Sequence, residues 1–258
     1  MYSQDYGDPS NPHVWLLHGS GAPAYSLESF ALALSARFRV HLPHFPGYGH
    51  TPHDPEKAVQ SAITRLASRV RAHDKPVVLV GHSFGAYRMI RLFGELGPEY
   101  VRGMYGLGAI ASLPEGMREA YEQAESWARA GEGIVEGLAG RWFSPAHIQA
   151  DPATHGFVER CWSDCDIDAV ARELYEPIDG GVADGIVAAS RVPMALRVGT
   201  ADVSAPPELS RALVGLRPGV ALELVEGAGH FVHLEDMQGA LEGLVGFVGR
   251  CDLTPHVS

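Results

Sequence analysis

The segment Gly81-His82-Ser83-Phe84-Gly85 sets a serine between two glycines, where the apolar run Val77-Val78-Leu79-Val80 gives way to a helical pattern through Ala86, Met89, Ile90 and Phe93. A buried strand that reverses abruptly into a helix needs space at the turn, which Gly81 and Gly85 leave, and it holds the apex residue strained with its hydroxyl exposed. Ser83 is therefore the candidate nucleophile. The N–H of Phe84, in the first turn of the helix, is unpaired and faces any negative oxygen that develops beside the serine.

A serine hydroxyl is a poor nucleophile at neutral pH. It needs a base, and an imidazole base needs a carboxylate to fix its tautomer and stabilise the imidazolium. Behind such a turn the expected chain order is serine, acid, histidine. Asp202 follows the apolar strand ending at Val198-Gly199, at the carboxyl end of a sheet where Ser83 also projects. Glu115, after the preceding strand, is its rival. His230 lies in the loop Glu226-Gly227-Ala228-Gly229-His230-Phe231, from which an imidazole can reach both partners. His233 falls at or within the next helix and reads as a surface or packing residue. His18-Gly19-Ser20-Gly21 closes the first strand, and the Ser20 N–H is the expected second oxyanion donor beside that of Phe84. His18 reads as packing or bonding that loop, and His82 as packing beside the nucleophile strand.

The elements that must position these groups are legible as alternating periods. Strands are expected at 14–17, 38–42, 77–80, 101–111, 193–199 and 220–225, and helices at 26–38, 55–72 and 237–249. Strands alternating with helices imply a mainly parallel sheet, the α/β class. The first dozen residues are brief for a strand pair, so one edge strand is expected to be missing. Residues 112–190 differ in kind: 115–130 and 133–142 look helical, and Pro145, Pro152 and Pro177 punctuate shorter helices. The expected organisation is a core of 1–111 and 191–258 with a helical cap inserted at 112–190.

The chain has 258 residues, 46% of them hydrophobic and 20% charged, enough for one large core. A net charge of −11 disfavours nucleic acid and anionic membrane surfaces as partners. The residues from Met1 to Asp5 have neither the positive start nor the apolar run of a secretory signal, and cytoplasmic placement is expected. Cys161, Cys165 and Cys251 cannot all pair, which suits a reducing compartment. Neither Cys161 with Cys165 nor the loop histidines His41, His44, His50 and His53 read as a metal site; loop solvation accounts for those histidines, and neither metal nor cofactor is expected. A small-molecule substrate is the expected partner, with a homo-oligomer left open.

Carried by His18-Gly19-Ser20-Gly21, Pro43 to Gly49, Gly81 to Gly85, Gly199 to Pro206 and Gly229-His230, the chain resembles α/β-hydrolase fold proteins over nearly its whole length. The resemblance implies a helical cap and a triad of Ser83, Asp202 and His230. Arg141 to Ala146 and Pro206 to Leu209 are similar to 3-oxoadipate enol-lactonases, and the His-Gly-Ser-Gly loop is equally similar to carbon–carbon bond hydrolases. The expected activity is hydrolysis of a small carboxylic ester or lactone. Carbon–carbon bond hydrolysis, lyase or cofactor-free oxygenase chemistry, and a ligand receptor with vestigial catalysis are the alternatives on the same scaffold. Tyr121, Trp127, Trp142, Phe143, Trp162 and Tyr175 give the cap its aromatic surface, mostly as core. Gly19, Trp142, Phe143 and Phe231 are the expected substrate-contacting residues, and Arg129, Arg141, Arg160 and Arg172 could each receive a carboxylate.

Overall fold

The computed structural model describes residues 1–53, 59–73, 75–113, 118–176 and 180–254. Seven strands form one sheet in the order β1-β3-β2-β4-β5-β6-β7: β1 (Ser3–Tyr6), β2 (His13–Leu17), β3 (Arg39–Pro43), β4 (Val77–His82), β5 (Val101–Leu107), β6 (Met194–Gly199) and β7 (Ala221–Val225). All neighbours are parallel except β1, which runs antiparallel to β3. The N-terminal residues thus supply a single edge strand. Its sequence, Ser-Gln-Asp-Tyr, lacks the apolar run that announces the others. β5 stops at Leu107, short of the expected Ala111, because Gly108 turns the chain with φ 51°.

Strand side chains alternate between two helical layers, as the two-residue period requires. Trp15, Leu17, Val77 and Leu79 pack with Leu66, Met89 and Leu92, from α2 (Val59–Arg71) and α3 (Phe84–Leu96). Val14, Leu16, Val78 and Val80 pack on the other face with Phe30, Leu244 and Phe247, from α1 (Glu28–Leu34) and α12 (Met237–Val248). Between β5 and β6 come α4 (Arg118–Ala130), α5 (Ile134–Trp142), α6 (Pro145–Ala150), α7 (Thr154–Ser163), α8 (Ile167–Glu173) and α9 (Val182–Ala189). The last of these lies against the sheet layer: Ala183 and Val187 share a core with Leu92 and Leu96 of α3. α10 (Pro207–Leu216) and α11 (Val232–Glu235) follow β6 and β7. Among the described residues, no helix is long and apolar enough to cross a membrane.

Solvation does not account for all the loop histidines. His41 and His44 are buried, His41 because it sits within β3 and stacks on Trp15, with ring centroids 4.4 Å apart.

Candidate active site

Ser83 sits between β4 and α3 with φ 56° and ψ −125°, alone among the described non-glycine residues in having a positive φ. Such a conformation persists only when its surroundings over-determine it. Here the Ser83 N–H donates to Leu107 O (2.9 Å), and Ser83 O accepts from Ala86 N–H (2.9 Å) and Ile110 N–H (3.2 Å). α3 then passes so close to β2 that a Cβ on Gly85 would lie 2.0 Å from Leu17 O. The glycine admits that approach and the hydrogen bonds hold the kink.

Asp202 and His230 come from the turns after β6 and β7. Asp202 is buried, its Oδ1 accepting from Ser204 N–H (2.9 Å) and Ala205 N–H (2.7 Å) while Oδ2 lies 2.8 Å from His230 Nδ1. With both backbone donors on one oxygen, the other is directed at the imidazole. This orients His230 with a proton on Nδ1 and its Nε2 lone pair free for proton transfer. Its loop is tied down as well: His230 O lies 3.2 Å from His82 Nε2, and Glu235 accepts from Gly229 N–H and Ser144 N–H, each at 2.9 Å. Burial holds His82 well below the usual histidine range and His233 down at about 3, so both are neutral packing groups. Glu115 lies outside the described residues. Among those described, no hydrogen bond joins Ser83 Oγ to His230 Nε2; both side chains line one cavity.

Phe84 is the first residue of α3, so its N–H has no carbonyl within the helix to bond. The described backbone hydrogen bonds assign no acceptor to the Ser20 N–H either. The loop carrying Ser20 is fixed by a buried network absent from the sequence reading. His18 Nδ1 donates to Gly19 O (2.8 Å) while its Nε2 accepts from Phe45 N–H (3.1 Å). Arg88 of α3, fully buried, donates to His18 O (2.8 Å) and pairs with Glu173 of α8. Tyr48 OH donates to Glu173 Oε2 (2.5 Å) and accepts from Ser20 Oγ (3.2 Å). Phe45 and Phe84 flank the guanidinium, with centroids 3.9 and 4.7 Å away. A buried ion pair bonded at both ends favours one geometry over its alternatives, and here it joins the inserted helices to the Ser20 loop. Arg88 and Glu173 are 85 residues apart, so no local spacing could have paired them.

A cavity of about 240 Å³ opens over Ser83, lined by Ser20, Phe84, Ile110, Leu113, Trp127, Trp142, Trp162, Val203 and Phe231 among others. Among the described lining residues, Arg141 is the one Lys, Arg, Asp or Glu. Trp142 and Phe231, expected to contact substrate, are among the lining residues. Phe143 is not part of the lining: its ring stacks on His147 (4.8 Å) and Phe231 (5.1 Å) in a small core beneath. Gly19 is not part of it either, but its backbone abuts the nucleophile, since a Cβ there would lie 2.9 Å from Ser83 Cβ. Trp127 and Trp162 also line the cavity, Trp162 while packed against the sheet core. Arg129 is engaged by Glu125 (2.9 Å) and Asp168 (2.8 Å), and Arg160 lies over the Tyr25 ring. The Tyr121 side chain lies outside what is described.

Similar proteins share this architecture. An esterase from Exiguobacterium antarcticum superposes with a TM-score of 0.86 at 19% identity, covering 96% of this chain and 95% of that one. The thermophilic esterase of Thermogutta terrifontis gives 0.84 at 20% identity, with 96% and 93% covered. The enol-lactonase of Burkholderia xenovorans LB400 gives 0.84 at 18%, with 96% of each covered. In sequence the chain is 24% identical over 268 residues to the magnesium-chelatase 30 kDa subunit of Rhodobacter capsulatus, spanning 95% of this chain and 88% of that protein. Residues 16–242 match the family model described as alpha/beta hydrolase family, which takes in the Ser20 loop, Ser83, Asp202 and His230 together, and the chain belongs to that family.

Proposed function

We propose that this protein is a serine hydrolase that cleaves a small carboxylic ester or lactone through an acyl-enzyme intermediate. The observation that carries the reading is the Asp202–His230 hydrogen bond (2.8 Å), whose histidine lines the same cavity as a strained serine at the start of α3. Ser83 Oγ attacks the carbonyl carbon as His230 Nε2 takes its proton, and Asp202 Oδ2 stabilises the resulting imidazolium. The carbonyl π electrons move onto oxygen, which the N–H groups of Ser20 and Phe84 receive. Collapse expels the alkoxide, protonated by His230. A water deprotonated by the same nitrogen then attacks the acyl carbon and releases the acid. Catalytic hydrogen bonds often tighten only with substrate bound, and the serine hydroxyl turns about a single torsion, so closing Ser83 onto His230 is the step assigned to substrate entry.

The tryptophan-walled cavity is below the usual range of about 300–1,000 Å³ for ligand sites, which favours a short apolar acyl or lactone group. Arg141 at its exposed rim is the residue that would receive a substrate carboxylate. Turnover of short p-nitrophenyl esters and small lactones by wild type and Ser83→Ala tests the reading. Activity that survives the substitution removes Ser83 from the chemistry.

The relative named as a magnesium-chelatase subunit supports a second reading, in which the cavity holds a ligand without turning it over. Thermal stabilisation by a ligand together with failure across the ester and lactone panel would favour it. We place the protein in the cytoplasm, acting on a small molecule.

A further inference from the structure

At the opposite, amino end of the sheet, three histidines from different segments meet. His13 opens β2, His41 lies in β3 and His73 follows α2; their ring nitrogens approach within 4.8 Å of one another. His13 and His41 are buried and His73 is half-buried.

The outer hydrogen bonds decide what the inner nitrogens carry. His41 Nδ1 lies 3.0 Å from Asp5 Oδ1, and Asp5, also paired with Arg39 (3.1 Å), is a carboxylate that only accepts. His13 Nε2 lies 3.3 Å from Pro9 O, a carbonyl that also receives Lys75 Nζ at 3.2 Å. Each outer nitrogen must therefore donate. A neutral imidazole has one N–H, so the two inner nitrogens, His13 Nδ1 and His41 Nε2, both present lone pairs, and they face each other at 3.0 Å. Lone pairs at that distance are reconciled by a positive centre between them, either a proton or a metal ion.

We propose that His13, His41 and His73 bind one divalent transition-metal ion of the zinc type. Tetrahedral zinc with Zn–N bonds of about 2.0–2.1 Å sets neighbouring nitrogens about 3.3–3.4 Å apart, so the His13–His41 pair needs only a few tenths of an ångström of widening. The outer partners, a carboxylate on one ring and a backbone carbonyl on the other, are the kind that fix the tautomer of metal-bound histidines. A shared proton would satisfy two rings; the metal uses all three, with water completing the shell. An all-nitrogen donor set favours Zn²⁺ over Mg²⁺ or Ca²⁺. The site lies at the amino end of β2 whereas Ser83, Asp202 and His230 follow the carboxyl ends of their strands, so its role is to tie β2, β3 and the end of α2 together.

Chelator-stripped protein dialysed against Zn²⁺ and then measured by elemental mass spectrometry should hold one ion per chain, and His73→Ala and His13→Gln should lose it while keeping the wild-type circular dichroism spectrum. His50→Ala, outside the trio, should retain it. Co²⁺ should quench Trp15, which stacks on His41 at 4.4 Å, in wild type and not in His73→Ala. Absence of stoichiometric Zn²⁺ in wild type, or binding by His73→Ala or His13→Gln equal to that of wild type, overturns the proposal. Ser83 labelling reads the hydrolase separately, so either conclusion can fail alone.

Discussion

Two aspartate–histidine pairs stand at opposite ends of one sheet, and they are built almost alike. Asp202 meets His230 Nδ1 at 2.8 Å, and Asp5 meets His41 Nδ1 at 3.0 Å. In each, the carboxylate fixes the tautomer and leaves Nε2 as the working nitrogen. What that nitrogen faces separates them. His230 lines a cavity shared with Ser20, Phe84 and a serine on a strained turn, whereas His41 looks at a second imidazole and stacks on Trp15. A His–Asp pair therefore specifies no chemistry by itself. On the readings proposed above, the third partner decides between proton transfer and coordination, and chain direction supplies it, because helix N-termini and strand carboxyl ends gather at one end of a parallel sheet only.

The contrast can be broken most forcefully at Ser83. Ser83→Ala should lower ester turnover on the order of 10⁵–10⁶-fold, as loss of the nucleophile does in serine hydrolases, with no effect on Zn²⁺ content. Asp202→Asn should cost about 10⁴-fold in kcat through the wrong imidazole tautomer. The matching change at the other end, Asp5→Asn, should leave kcat intact and weaken Zn²⁺ about 10–100-fold, read by competitive chelator titration. Loss of activity in Asp5→Asn with its fold retained would erase the division between the ends. Gly19→Ala tests the oxyanion loop, since its methyl would sit 2.9 Å from Ser83 Cβ; a displacement approaching 1 Å predicts about a 10²-fold loss in kcat.

The smallest effect expected is on stability in acid. His18, His82 and His233 are held neutral by burial, well below the usual range for the first two and at about 3 for His233. The unfolded chain takes up protons at these positions near pH 6.5 while the folded chain does not, so stability is full above that value and falls as the pH drops toward the depressed folded values. Thermal midpoints measured from pH 7.5 down to pH 4.5 should decline steadily. A flat profile would mean that these histidines have polar partners able to support a charge.

Where the sequence was readable follows from the range of the interactions involved. The run from Val77 to Gly85 encodes strand, kink, strained serine and helix start within one local pattern, and Asp202 and His230 are marked by the apolar strands before them. β1 was invisible because Ser3, Gln4, Asp5 and Tyr6 owe their strand to pairing with β3 rather than to periodicity. The Arg88–Glu173–Tyr48 network and the histidine trio arise only after distant segments meet. Phe143 lies outside the cavity lining although its neighbour Trp142 is in it, because successive side chains at a helix end project in different directions while sharing one small core.

Acyl transfer requires Ser83 to be an activated nucleophile, and mass spectrometry of protein treated with a fluorophosphonate tests that directly. A single adduct on the peptide carrying Ser83, abolished in His230→Ala, is the predicted result; an adduct on another residue, or none on a folded chain, would contradict it.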